Sequence, residues 1–134
     1  KGYAALVRGA PEPAAAVIDA PIGRHPVHRR RMAVVAAGRA AATRYTTVER
    51  LRGFTLLDVR PSTGRTHQIR VHLASVGHPV AGDEVYGHRD ADLARQFLHA
   101  NLLVFRLPSS GEEIELRSKL PEDLERFLQA LRGG

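Results

Sequence analysis

From Ala42 to Arg50 the chain changes side with every residue: Thr43, Tyr45, Thr47 and Glu49 fall on one face of an extended segment, Arg44, Thr46 and Val48 on the other. After a turn at Arg52 and Gly53, a second strand-like run follows at once, Phe54 to Val59. A connection this short joins antiparallel neighbours, because a parallel crossover needs a dozen residues or more. The other apolar runs have the same character. Tyr3 to Val7 ends at Gly9 and Pro11, Val17 and Ile18 end before Pro21, and Met32 to Val35 precedes Gly38, which predicts a hairpin into Ala42 to Arg50 and so an antiparallel meander. Phe97 to Phe105 reads as strand, or as a short helix feeding one, with Ile114 to Leu116 pairing across the turn at Ser109 to Gly111.

Two stretches break this pattern. Ile69, Leu73 and Val76 recur at helical spacing, with Thr66 as the expected N-cap and Gly77 as the stop, which predicts a helix over Thr66 to Val76. Pro121, followed by Leu124, Phe127, Leu128 and Leu131, predicts a closing amphipathic helix. Pro21 to Arg31, carrying Arg24, His25, His28, Arg29, Arg30 and Arg31 together with Pro21, Gly23 and Pro26, reads as an irregular basic loop, and Pro79 to Asp92 as a second loop. The fold class expected is α+β: a mostly antiparallel mixed sheet flanked by helices.

A chain of 134 residues with a 43% apolar share builds one core, so residues 1–134 are read as belonging to a single domain. There is no cysteine, which excludes disulfides and thiolate metal sites and suits a reducing cytosol. No apolar run reaches bilayer length, so no membrane association is expected. The formal charge of +6 favours a polyanionic partner, and all the basic side chains except Lys1 and Lys119 are arginine, the residue suited to bidentate phosphate contact and to stacking on bases. A GC-rich coding sequence would raise arginine and alanine together and accounts for the same composition.

The densest polar cluster is Gly64 to His72, GRTHQIRVH. On a helix turning ~100° per residue, Arg70 sits at the border of the apolar stripe beside Thr66, Ala74 and Gly77, where it is free to reach a carboxylate or a phosphate. By itself it reads as an arginine snorkelling from a half-exposed helix. His67 and His72 diverge by ~140° and are poorly placed to share an ion, so no metal is expected. His67, near the helix start, is expected to fix the loop or meet a phosphate. Asp83, ahead of Tyr86 and Gly87, reads as a loop-ordering carboxylate.

The string PSTGRTHQIRVHLASVGHPVAGDEVYG, Pro61 to Gly87, resembles the third motif region of the RluA/RluD-type RNA pseudouridine synthases. KGYAALVRG at the start, DAPIGR at Asp19 to Arg24, GRAAATRYTTVER and LHANLLVF at Leu98 to Phe105 resemble the same family in the same order. The resemblance implies a cofactor-free isomerase that detaches uracil from its ribose, turns it and rejoins it through carbon, on a nucleotide flipped out of structured RNA. It further implies that Tyr3, in the K-x-Y pattern, stacks on the base and helps move a proton, while Arg70 pairs with the aspartate of an HRLD motif. No HRLD string occurs here. The chain is therefore expected to be the C-terminal part of a catalytic domain whose aspartate lies upstream, inactive alone, with Arg70 lacking that carboxylate and recruiting water, an anion or another side chain, and with one edge or face of the sheet exposed. Arg24, Arg29 and Arg30 on the basic loop and Arg65, His67 and Gln68 at the helix entry are the expected RNA contacts. Large-subunit ribosomal RNA is the expected substrate, with transfer RNA as a second possibility, for a cytoplasmic monomer. The rival reading is a non-catalytic RNA-binding module.

Overall fold

The computed structural model describes residues 1–133. Its strands are β1 (Gly2–Arg8), β2 (Ala15–Asp19), β3 (Ile22–Arg24), β4 (Met32–Val34), β5 (Ala42–Arg50), β6 (Phe54–Pro61), β7 (Leu98–Arg106) and β8 (Glu113–Arg117), with helices α1 (Gln68–Ser75) and α2 (Glu122–Gly133). A six-stranded antiparallel sheet runs in the order β2-β5-β6-β1-β7-β8, and β3 and β4 form a separate two-stranded ribbon. This is the α+β class read from the sequence.

β1 lies at the centre of the sheet and is buried on both faces, which explains its unbroken apolar run. Ala5 and Val7 join Tyr45, Leu57 and Val59 under Ile69 and Leu73 of α1. Leu6 and Leu56 point to the opposite face, where Phe97 and the α2 residues Leu124 and Leu128 close a second core. Alternation along β1 and β6 thus assigns one helix to each face. α2 begins with Glu122, Asp123 and Glu125 in its first turn, which complement the positive end of the helix. Ion pairs from Arg132 to Glu49 and from Arg95 to Asp123 fasten it at either end.

β5 alternates as the sequence requires, with Thr43 and Tyr45 buried and Arg44 and Thr46 exposed. The ladder β5·β6 carries an irregularity between Thr47 and Glu49. β7 pairs with β1 only as far as Gly2, then continues with β8 as a ribbon. Leu103, Val104, Phe105 and Leu116 on this ribbon are 37–53% exposed, Leu103 and Leu116 as a cross-strand pair.

The expected meander fails at its first hairpin. β4 does not turn at Gly38 into β5; it folds back on β3, and β5 takes β2 and β6 as its neighbours. The reason is close packing. Backbone hydrogen bonds in both directions join Ile22 and Arg39, at 2.9 and 2.8 Å, so Gly38 crosses directly over the Ile22–Gly23 backbone. A Cβ on Gly38 would stand 2.5 Å from the Ile22 carbonyl carbon and 2.6 Å from its oxygen. Gly38→Ala is therefore expected to destabilise the protein by about 1–3 kcal/mol, read as a lowered urea midpoint; an unchanged midpoint would mean that this crossing is not close-packed.

Part of the predicted basic loop is also regular. The prolines flank β3 without entering it, Pro21 before and Pro26 after, so Ile22 to Arg24 keep the N–H groups a ladder needs. The tip is ordered by His25, whose Nδ1 accepts the amides of Val27 and His28 at 3.1 and 3.0 Å.

Candidate functional site

α1 starts later than its sequence suggests. The N-cap is His67, in the left-handed region at φ 55°, and not Thr66. The Gln68 side chain explains the shift. Its Oε1 accepts the Arg65 amide at 3.0 Å while the Gln68 amide donates to the Arg65 carbonyl at 3.1 Å, so the chain makes one tight turn before the helix begins. Histidine tolerates the left-handed conformation better than a β-branched residue would. At the other end Val76 has left the helical track and is 46% exposed, contrary to its expected place on the buried face. Gly77, at φ 87°, makes the predicted stop.

Gln68 is buried, and its amide is fully engaged. Oε1 also accepts from Thr63 Oγ1 at 2.7 Å, and Nε2 donates to the Ala42 carbonyl and to Thr43 Oγ1, both at 2.9 Å. No polar atom is left for RNA, so the expected direct contact is replaced by a role in shaping the Thr63 to His67 turn. Thr43 passes the network on to His72, which is fully buried. His72 Nε2 must donate to the Ala20 carbonyl at 2.9 Å, which makes Nδ1 the acceptor of the Thr43 hydroxyl proton at 2.7 Å. This histidine therefore ties α1 to the start of the ribbon. Its signal in the sequence is its position three residues beyond Ile69, on the buried stripe.

Arg70, without an HRLD carboxylate in these residues, is held by another side chain, as expected, and that side chain is Asp83: Nε and Nη2 donate to Asp83 Oδ2 and Oδ1 at 2.8 and 3.0 Å. The Asp83 side chain is fully buried and that of Arg70 is 12% exposed. Asp83 Oδ1 also accepts the amides of Val85 and Tyr86 at 3.0 and 3.1 Å. The loop-ordering role expected of Asp83 holds, and the same carboxylate also fixes Arg70. Burial raises the Asp83 pKa, but the Arg70 hydrogen bonds, the two amides and the Arg70 charge together take it below the usual carboxylate range. The hydrogen bonds to Asp83, against a smaller opposing effect of burial, raise the Arg70 pKa further above its ordinary value.

The Tyr86 ring lies against the guanidinium, 5.0 Å from Arg70 Cζ. The Tyr86 hydroxyl accepts the Met32 amide of β4 at 3.0 Å and shares a 2.8 Å hydrogen bond with His67 Nδ1. Partial shielding from water, then the Arg70 charge, lower the His67 pKa against an opposing pull from Asp83. Sequence reading did not single out Tyr86; its spacing of three residues from Asp83 was the available signal.

In front of Arg70 opens a cleft of about 430 Å³, lined by Tyr3, Arg65, His67, Gln68, Ile69 and Arg70 together with Leu98 and the Pro61 to Gly64 turn. Tyr3 and Arg70, distant in sequence, meet here because β1 runs beside β6 and the chain leaving β6 turns straight into α1. Arg70 Nη1 has no hydrogen-bond partner among the described residues and is the edge left for a ligand. Arg65, whose Nε donates to the Ala40 carbonyl at 2.8 Å, stands at the rim. Arg24, Arg29 and Arg30 do not line the cleft. They are exposed on the β3–β4 ribbon, where Arg24 Nη1 donates to the Arg29 carbonyl at 3.0 Å. A larger hollow of about 610 Å³ lies beside α2, and two of its three carboxylates, Asp90 and Asp123, pair with Arg8 and Arg95. Among the described residues no group of three or more His, Cys, Asp or Glu side chains stands ready to hold a metal ion, and no helix is long and apolar enough to cross a membrane.

Comparison with known proteins bears on the family and the fold. Residues 1–75 match the sequence profile of the RNA pseudouridylate synthase family. The chain is 50% identical to ribosomal large subunit pseudouridine synthase D of Nitrosomonas europaea over 97% of its own length and 40% of that protein's. It is 48% identical to an uncharacterized RNA pseudouridine synthase of Mycobacterium bovis, over 99% of the chain and 45% of the relative. It therefore spans less than half the length of these relatives. The structure of human RNA pseudouridylate synthase domain containing 1 superposes on the whole chain with a TM-score of 0.77 at 28% identity, the match covering 66% of the human chain. With a matching profile over more than half its residues and the same fold throughout, the chain belongs to the RNA pseudouridylate synthase family.

Proposed function

We propose that the full-length protein isomerises uridine to pseudouridine in structured RNA, and that these residues supply one wall of the uridine site. The observation that carries this reading is the meeting of Tyr3 and Arg70 in a single cleft. A cleft of about 430 Å³ accommodates a flipped-out nucleotide base, and Tyr3 offers an aromatic face against it. Arg70 is held from behind by Asp83, and its free Nη1 is available to a carboxylate or phosphate in the cleft. The catalytic carboxylate itself is assigned to the HRLD motif of the family, which these residues do not contain. The relatives named ribosomal large subunit pseudouridine synthase favour ribosomal RNA as the substrate. The absence of cysteine suits a cytoplasmic setting.

Isomerisation replaces the hydrogen on uracil C5 by the bond to ribose. The full-length protein is therefore expected to release tritium from RNA carrying 5-tritiated uridine. Tight RNA binding without release would favour the RNA-binding module instead.

The ribbon supplies the backbone contacts in this reading. Charge reversal at Arg29 and Arg30 removes two exposed cations and adds two anions, and is expected to weaken RNA binding by about tenfold or more at low salt and to flatten its salt dependence. Filter binding at two salt concentrations measures this. A variant that binds as the wild type does at both salt concentrations would remove the ribbon from the interface.

A further inference from the structure

The Tyr86 phenol stands at a junction that the proposed chemistry does not use. Its ring packs on the Arg70 guanidinium. Its hydroxyl takes the Met32 N–H from the base of the basic ribbon and bonds His67 at the entry to α1. One side chain thus touches the residue facing the cleft, the turn that forms the cleft wall and the ribbon carrying Arg24, Arg29 and Arg30.

The remaining attachment of the ribbon is narrow. Ile22 and Met32 pack on Ala41, Val71 and Tyr86 in a small apolar cluster separate from the two main cores. β3 and β4 share no ladder with the large sheet. The tip beyond them is exposed, with Val27 74% accessible. A ribbon joined to the body by a small cluster, a crossing at Gly38, the His72 hydrogen bond to the Ala20 carbonyl at its start and the Tyr86 bond to the Met32 amide can shift when its arginines engage phosphates. Any shift of β4 pulls on the Tyr86 hydroxyl through the Met32 amide.

We propose that Tyr86 is a positioning residue that links engagement of RNA by the β3–β4 ribbon to the orientation of Arg70 in the cleft. The inference rests on reading the cleft as the uridine site. RNA seated on the ribbon holds Met32, Met32 holds the phenol, and the phenol ring and His67 hold the Arg70 side of the cleft in its working arrangement. Asp83 fixes two nitrogens of the guanidinium, and Tyr86 fixes the face on which the group lies.

Tyr86→Phe is the decisive variant, because it keeps the ring on Arg70 and removes only the hydroxyl. In the full-length protein, single-turnover tritium release at saturating RNA is expected to fall about three- to tenfold, the loss of about one net hydrogen bond. Linkage makes a sharper demand. Arg29→Ala with Arg30→Ala is expected to lower both affinity and the saturating rate when Tyr86 is present, but affinity alone in the Tyr86→Phe background. Rate effects that simply multiply would overturn the proposal. Trypsin gives a second reading independent of activity: cleavage at Arg29 to Arg31 in the free protein is expected to accelerate in Tyr86→Phe. Unchanged cleavage would overturn the latch. If the unmodified full-length protein releases no tritium, the uridine-site reading fails, while the trypsin result still decides whether Tyr86 holds the ribbon.

Discussion

Asp83→Ala is expected to cost about 3–5 kcal/mol of stability, a large part of the 5–15 kcal/mol typical of a domain. The carboxylate is fully buried and serves four donors at once: Arg70 Nε, Arg70 Nη2 and the amides of Val85 and Tyr86. Alanine leaves the guanidinium, only 12% exposed, without a counter-charge, and strips two backbone N–H groups of their acceptor. The charge is the larger part of the loss. Asp83→Asn combined with Arg70→Met removes both charges while Asn keeps an oxygen for the amides, so this double variant is expected to recover most of the stability that Asp83→Ala loses. A double variant as unstable as Asp83→Ala would show that the pair contributes more than avoidance of an isolated buried charge.

The pH dependence follows from the direction of the shift. The folded state lowers the Asp83 pKa below its ordinary value, so its contribution is complete above the unfolded carboxyl range and is lost as pH falls through the folded value. The difference in urea midpoint between the wild type and Asp83→Asn is expected to stay level from about pH 5 to 8 and to narrow below about pH 4. His67 works over a different window. Its pKa lies below that of a free histidine, so its part of the stability is present above about pH 6.5 and fades on acidification through the folded value.

These carboxylate and histidine networks mark the limit of what could be read from the sequence. Elements set by period and punctuation were legible: the alternation of β5, the Arg52–Gly53 turn, the apolar run of β1, the stop at Gly77 and the amphipathic α2. Each is decided by residues within a few positions of one another. The ribbon was misread because its partner choice depends on a close approach, Gly38 over Ile22, which has no periodic signature. The start of α1 was misread because Gln68 competes for the cap from within the helix, where a polar residue was taken to face RNA. Tyr3 and Arg70 were picked out by resemblance, and their meeting in one cleft depends on strand order, which the local pattern does not contain. The pairing of Arg70 with Asp83 was missed for the same reason. The helical wheel showed that Arg70 could reach a carboxylate, but not that the loop after α1 returns one to it.

The existence of that internal partner changes what an Arg70 variant tests. Arg70→Ala alone strands the Asp83 carboxylate in a buried site, so lost activity would be confounded with lost folding. The Arg70→Met, Asp83→Asn pair avoids this, since it is expected to fold. In the full-length protein it is expected to lower single-turnover tritium release by about 100- to 1,000-fold, the scale seen when an oriented donor to a developing charge is removed. RNA affinity is expected to change by less than about tenfold, because the exposed arginines of the ribbon remain and phosphate contacts dominate affinity. Arg70→Lys is expected to fall nearly as far as the double variant. A single ammonium can neutralise Asp83, but it lacks the fork that holds both carboxylate oxygens while presenting a third nitrogen to the cleft. A folded double variant that releases tritium at the wild-type rate would remove Arg70 from the chemistry and leave Tyr3 as the one residue here facing the base.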